Sequence, residues 1–253
     1  MQVPGNFKSR LVSWPYRHDF SWRRNRLFEA LGSCRYSRPG TPELTASLAP
    51  YLPDEPGVFF EAGAHDGYTF SNTYYLERWC GWNGILVEAA PELHRKASAR
   101  RQASHISNCA LVRPEEVGST VLHFGDLTST IEYDLDHLVR GLRNAGRKGY
   151  SVDVPARTIS SVIDESGFTE IDLMVLDIEG AEFDALSGVQ FDRHPVKLLV
   201  VEMLDMERQR AAFEQVLAPW FAAPIELTPW DMLFVAHGHP SAAGPPTFST
   251  PTS

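Results

Sequence analysis

The chemically densest stretch of the sequence is Glu61-Ala62-Gly63-Ala64-His65-Asp66-Gly67, which ends a short apolar run and precedes a helix whose start is marked by Ser71 and Asn72. Two glycines four apart at a strand-to-helix turn let the backbone bend sharply and let a ligand come up against the main chain. Open α/β sheets bind their ligands in this crevice. The acids narrow the choice of ligand. A dinucleotide fingerprint has a third glycine and lays a pyrophosphate on the helix N-terminus. Here that glycine is missing, and Glu61 and Asp66 would repel the phosphates. S-adenosylmethionine has no phosphate and carries a sulfonium and an ammonium, so an acidic, glycine-bent loop suits it. Glu88, 21 residues beyond Gly67 and at the end of the next apolar run, stands where an acid accepts ribose hydroxyls. The candidate cofactor-binding residues are therefore Glu61, Gly63, Ala64, His65, Asp66 and Gly67 of the loop, Ser71 and Asn72, and Glu88 with its neighbour Ala89. The plainer alternatives are an exposed strand-end carboxylate for Glu88 and an idle loop histidine for His65.

A second concentration of acids lies at Asp177, Glu179 and Glu182. Asp177 and Glu179 sit just beyond a buried apolar run, and Glu182 opens the next helix, where the unpaired amides of the first turn favour a carboxylate. Asp177 is the leading candidate to touch the cofactor and to align an acceptor hydroxyl or take its proton, with Glu179 beside it. A sulfonium is already an activated electrophile, so alignment and exclusion of water would be most of the work. Alternatively, Glu179 and Glu182 only cap the helix and pair with arginines. His123, Asp126 and His137 are further candidate proton acceptors. Asp177 and Glu202, at the ends of neighbouring runs, could clamp a divalent metal as hard ligands. With no Asp-Asp pair there and no histidine at ligand spacing, the sequence favours a site without metal.

The elements that must position these residues follow from periodicity. From about residue 57 onward, short apolar runs alternate with amphipathic stretches, the pattern of a mostly parallel sheet with helices on both faces. Strands are expected at Val58 to Ala62, Gly84 to Glu88, His105 to Asn108, Ile171 to Asp177 and Val196 to Met203. Helices are expected at Phe70 to Cys80, Pro91 to Arg101 and Glu207 to Leu217. Ile225 to Leu227 and Met232 to Ala236, flanking Thr228-Pro229-Trp230-Asp231, imply a terminal antiparallel hairpin. The fold class is thus α/β, a Rossmann-like seven-stranded sheet with its last strand antiparallel. Residues 111–157 break the alternation, with β-like Val121 to Phe124 and Ser151 to Val154, a Ser/Thr-rich turn at Thr128 to Thr130 and a helix-like Asp134 to Asn144. They read as an insertion near the acceptor site within a domain of residues 51–237. Residues 1–50 read as a helical extension and 238–253 as a floppy, proline-rich tail.

Composition sets the outer bounds. The 253 residues are 43% hydrophobic and 22% charged, the make-up of a globular chain that is neither disordered, collagenous nor coiled coil. Three scattered cysteines, Cys34, Cys80 and Cys109, form no disulfide framework and no zinc ribbon, which fits a reducing cytoplasm. No signal-peptide pattern and no run of about 18 apolar residues is present, so no membrane association is expected. The net charge of −9 divides into +6 over residues 1–40 and −15 over the rest. The acidic body would repel nucleic acid, leaving a small-molecule acceptor as the expected partner, with a homo-oligomer possible.

The segments F-F-E-A-G-A-H-D-G, S-N-T-Y-Y-L-E-R, G-W-N-G-I-L-V-E-A-A-P-E, V-L-D-I-E-G-A-E-F-D-A-L-S-G and L-L-V-V-E-M-L, in that order, resemble the FkbM family of methyltransferases, more closely the branch shared with the animal Star-type proteins. The resemblance covers about residues 57–236. It implies a class I methyltransferase that uses S-adenosylmethionine, usually on a hydroxyl of a sugar, polyketide or other secondary metabolite. It places the family's first motif on Glu61, Gly63, His65 and Gly67, its ribose-binding acid on Glu88, and the segment bordering the adenine near Asn108, Cys109 and Ala110. Its D-x-E-G-x-E block falls on Asp177, Glu179, Gly180 and Glu182. The chain departs from the common pattern at Glu61, where Asp is more frequent, at His65, where Asn is, and at Val175, where many members have Lys. An alternative, a non-catalytic binding module of the same fold, is countered by the retention of Gly63, Gly67 and Glu88.

Overall fold

The computed structural model describes residues 17–126, 129–131 and 149–243. The expected helix at Asp134 to Asn144, with His137, lies outside them, as do most of the expected tail and part of the Thr128 to Thr130 turn. Two helices come first, α1 (Arg17–Ala30) and α2 (Pro42–Leu48). Then follow β1 (Val58–Ala62), α3 (Tyr74–Cys80), β2 (Asn83–Val87), α4 (Pro91–Arg100), β3 (His105–Ser107), β4 (Ala110–Leu111), β5 (Gly118–Phe124) and β6 (Tyr150–Arg157). The remainder is α5 (Ile159–Ser166), β7 (Ile171–Leu176), α6 (Glu182–Ser187), β8 (Val196–Glu202), α7 (Met206–Leu217), β9 (Ile225–Glu226) and β10 (Asp231–Val235).

Seven strands form the main sheet in the order β3-β2-β1-β7-β8-β10-β9. All neighbouring pairs are parallel except those of β10, which runs antiparallel to both β8 and β9. The expected seven-stranded α/β sheet with an antiparallel last strand is therefore the fold. Alternation of side chains along β1 sends Phe60 and Ala62 to one face and Phe59 to the other, each into its own buried cluster. Because both faces are covered, β7 and β8 read in sequence as unbroken apolar runs.

A second sheet, β4-β6-β5, is built by the segment that interrupts the alternation. Its Leu122, Phe124 and Val154 pack on Ala90 and Leu93 at the start of α4, which places its far end beside the crevice of the main sheet.

Two differences from the sequence expectation have local causes. Helix α3 starts at Tyr74 rather than Phe70, because Phe70 takes φ 56° and the Glu61 carboxylate accepts from Ser71 Oγ, the Asn72 amide and Thr73 Oγ1. These bonds hold the segment out of helical register. Helix α5 escaped the periodic reading, although Thr158 caps it by accepting from the Ser161 amide and Gly167 ends it in the left-handed region. Among the described residues no helix is long and apolar enough to cross a membrane.

Candidate active site

The chain runs outward from β1 to β2 and β3 on one side of the sheet, and from β7 to β8 on the other. The order reverses between β1 and β7, and the crevice at their carboxyl ends is where such sheets place ligands. A cavity of about 520 Å³ opens there. Gly63, at φ 79°, lets the two strand ends close together: a Cβ on it would lie 1.8 Å from the main-chain oxygen of Asp177. His65 (φ 49°), Phe70 (56°), Asp126 (64°) and Glu179 (58°) are the non-glycine residues with positive φ among those described, and all four line this cavity. Strain of that kind persists only where the surroundings enforce it.

At one end of the cavity, Glu88 is fixed by two main-chain amides, His65 N to Oε2 and Ala90 N to Oε1, both at 2.7 Å. A carboxylate has about four acceptor positions, so each oxygen keeps capacity for a ligand hydroxyl. Burial raises the Glu88 carboxyl to about 7, against the lowering effect of the His65 charge and of those two amides. Ala89 and Cys109 line the cavity on the same side. Asn108 does not line it. Its Nδ2 donates to the carbonyls of Glu88 and Ala89 at 2.8 and 2.9 Å and so shapes the turn that presents Glu88.

At the other end, oxygens of Asp177, Glu179 and Glu202 lie within 4.8 Å of one another. Burial raises both the Asp177 and the Glu202 carboxyls; the neighbouring Asp177 pushes Glu202 up further, while the contact with Glu202 opposes the rise of Asp177. Glu202 Oε2 is buried with no hydrogen-bond partner among the described residues. Burial first, then the charges of Asp177 and Glu182, push Glu179 up to about 8. Glu182 faces away from the cavity and accepts from the amides of Ile178 (2.8 Å) and Gly180 (3.1 and 3.2 Å), the capping alternative named for it above.

Several residues singled out in the sequence do not reach the cavity. Asp66 turns into the loop, where it accepts from the amides of Tyr68 and Thr69 and from Thr69 Oγ1, with Arg100 at 2.6 Å. Its carboxyl is held well below the usual range, since His65 and Arg100 outweigh burial. Glu61 reaches the wall but is engaged by the Ser71–Thr73 segment, with the fully buried Arg101 at 3.9 Å. The idea that both loop acids attract a cation is thereby corrected: Arg100 and Arg101 neutralise them internally. Gly67 serves packing rather than ligand approach, since a Cβ there would lie 2.9 Å from Ala97 Cα of α4. Ala64 is buried in the core with Leu44 and Phe59, and Ser71 is turned onto Glu61. His123 lies on β5 with Nδ1 2.9 Å from Ser151 Oγ and does not line the cavity.

Other wall residues were not foreseen. Thr41 and Leu44 come from the start of α2, and Thr228 to Asp231 from the hairpin turn. Phe70 and Trp230 stand half-exposed on the wall. The turn residues were visible as a turn, but their arrival at this cavity depends on β10 pairing with β8, with Asp231 opposite Glu202.

The methyltransferase FkbM domain model matches residues 61–222. The chain belongs to the FkbM methyltransferase family. S-adenosylmethionine is accordingly its cofactor. Among solved structures, an FkbM methyltransferase from Methylobacillus flagellatus KT is 13% identical and has a TM-score of 0.45, the alignment covering 89% of this chain and 57% of that one. This FkbM-family protein thus spans little more than half the length of that relative. An RNA methyltransferase from Salinibacter ruber, in complex with S-adenosyl-L-homocysteine, is 15% identical with a TM-score of 0.36, over 77% of this chain and 88% of that one. A TehB-like methyltransferase from Corynebacterium glutamicum is 13% identical with a TM-score of 0.41, over 88% and 98%. Likenesses of this size carry neither substrate nor residue roles to the present protein. No curated protein matches the chain.

Proposed function

We propose that this FkbM-family protein transfers a methyl group from S-adenosylmethionine to a hydroxyl oxygen of a small molecule, such as a sugar or polyketide. The observation that carries the proposal is the separation of two acidic functions along one cavity, with Glu88 at one end and Asp177, Glu179 and Glu202 at the other. The residues fit the cofactor. Glu88 keeps free acceptor capacity for ribose hydroxyls, with Ala89 and Cys109 beside it for the base. The acidic end complements a cationic sulfur centre. When bound, the cofactor supplies an electrophilic methyl group.

The chain's own groups do the rest. Asp177 accepts the proton of the acceptor hydroxyl, and the protonated Glu202 holds Asp177 in place by donating to it. Glu179, strained at φ 58°, orients the acceptor from the other side. The walls formed by Phe70 and Trp230 exclude water and offer flat apolar faces to a ring. The test has two stages. Calorimetry with S-adenosylhomocysteine should show binding that weakens more than tenfold in Glu88→Ala, the loss of a buried charged hydrogen-bond partner. Incubation with methyl-13C cofactor and hydroxylated glycosides or polyketides should then give a product whose labelled carbon has the chemical shift of an ether methyl, and Asp177→Asn should abolish it. Absence of binding in the wild type would overturn the cofactor site, and a label found on nitrogen or carbon would overturn oxygen transfer.

A further inference from the structure

We propose that His18, His65 and Asp126 form a divalent-metal site that clips α1 onto the turn after β1. The three residues come from separate segments: α1, the glycine-bent loop, and the stretch just after β5. Their ligating atoms all lie within 4.8 Å of one another. His18 Nε2 is 3.4 Å from Asp126 Oδ2, and His65 Nε2 is 3.5 Å from Asp126 Oδ1. Charge-assisted hydrogen bonds between such groups are shorter, about 2.7–2.9 Å. Each imidazole instead faces its own oxygen of Asp126, leaving room between the two rings for an ion that the carboxylate could meet through either oxygen.

His65 supplies an independent observation. It is only 6% exposed, and neither ring nitrogen makes a hydrogen bond among the described residues. A buried imidazole in that condition is costly unless something else satisfies it. Its Nδ1 faces Asp66 Oδ1 at 3.7 Å, leaving Nε2 to the cluster. Asp66 is itself locked by two amides, a hydroxyl and Arg100. It stands on the side of the His65 ring where a metal-bound imidazole usually has its outer carboxylate, at a distance longer than a hydrogen bond. The two imidazoles meet at 69° with centroids 5.2 Å apart, so their edges converge rather than stack. His65 and Asp126 both hold positive φ to point inward.

Two nitrogens and one carboxylate oxygen suit zinc, with a fourth position open. Because His65 and Asp126 line the cofactor cavity, that position is reachable from it. The rival occupant is a proton: His65 as an imidazolium between Asp66 and Asp126 would meet the same demand for positive charge. A second rival is the carboxylate trio at the far end of the cavity.

Untagged full-length protein is equilibrated with zinc, freed of excess by gel filtration, and its metal content measured by mass spectrometry. The site requires about one zinc per chain in the wild type and in Glu202→Gln. In His18→Ala and His18→Gln retention should fall more than tenfold, with circular dichroism unchanged because His18 is a partly exposed helix residue. Cobalt in place of zinc should give the intense visible absorption of a four-coordinate site, lost in Asp126→Asn. A wild type that retains no metal leaves the proton as occupant and overturns the proposal. So does retention that survives both His18 substitutions, or that is lost only in Glu202→Gln. None of these readouts depends on methyl transfer, so the site can fail while the proposed reaction stands, and the reverse.

Discussion

Glu179 shows how much a single residue in this cavity is asked to bear. Its backbone is in the left-handed region, and burial together with Asp177 and Glu182 raises its carboxyl from 4.5 to about 8. A carboxyl raised in the folded state contributes stability that is complete below about 4.5 and is lost as the pH climbs through the folded value. The melting temperature of chelator-treated protein should therefore fall between pH 4.5 and 8. Glu179→Gln, neutral throughout, should flatten that fall in part, since Glu88 and Glu182, both raised to about 7, remain. Superimposable wild-type and variant profiles would show that this carboxylate is solvated rather than buried. Activity should run the other way and rise with pH, because the proposed proton acceptor Asp177, raised to about 6, must be ionised to take the proton of the acceptor hydroxyl. Asp177, Glu179 and Glu182 were legible from spacing because they share one turn. The meeting of Glu202 with Asp177 was legible as well, because both end neighbouring apolar runs; the rise of their carboxyls was not, since it comes from burial that no local pattern marks.

At the scale of elements, Gly63 is the point on which the crevice depends. Its added Cβ would meet a main-chain oxygen, which cannot swing away as a side chain can. Gly63→Ala should destabilise the protein by more than about 2 kcal/mol in urea unfolding. Gly32→Ala, at φ 77° with open space around it, should lose only about the 1 kcal/mol of a left-handed backbone. Equal losses would mean that β1 and β7 have room to separate. The strands of the main sheet were readable to within a residue or two: Val58–Ala62 is as expected, and Ile171–Leu176 ends one residue early. Buried parallel strands leave long apolar runs, and no other element does so as clearly. Legibility fails where long-range polar contacts override local pattern. Helix α3 loses its first turn to Glu61, and Ala110–Leu111 is too short for any period to show. Arg101, expected only as the last residue of a helix, is fully buried and bonds to Glu77, Ser71, Thr73 and the Gly67 carbonyl. Gly67 is needed beside it so that α4 can approach the loop.

Across the whole molecule, α1 joins the site by polar rather than apolar contacts, an unusual way to dock a helix. Leu27 and Leu31 point outward at 61% and 75% exposure, while Asn25 and Glu29 are buried. Glu29 accepts from Asn25, Ser37, Tyr74, Arg26 and Arg78. Asp19 pairs with Lys96 and Arg100 on α4, and Arg100 lies over Trp22. The acids of the basic N-terminal segment thus engage the bases of the acidic body. The part-exposed pairs of Asp19 contribute little individually and are screened by salt, so the first turns of α1, unlike the end held by buried Glu29, should be among the first segments to open. His18 ties that opening to the cavity through Asp126 and His65, which line it. If the closed arrangement is the one that binds S-adenosylhomocysteine, the ligand must suppress the open form, and reciprocally α1 must support binding. Trypsin cleavage at Arg23, Arg24 and Arg26, followed by the mass of the released fragment, measures the open population when reclosing outpaces cleavage. Ligand at ten times its dissociation constant should then slow cleavage about tenfold. Raising the ionic strength should speed it, and Glu29→Gln should speed it at every ligand concentration. A cleavage rate indifferent to the ligand would mean that α1 opens without disturbing His65, and that the N-terminal helix is attached to the enzyme but not coupled to its cavity.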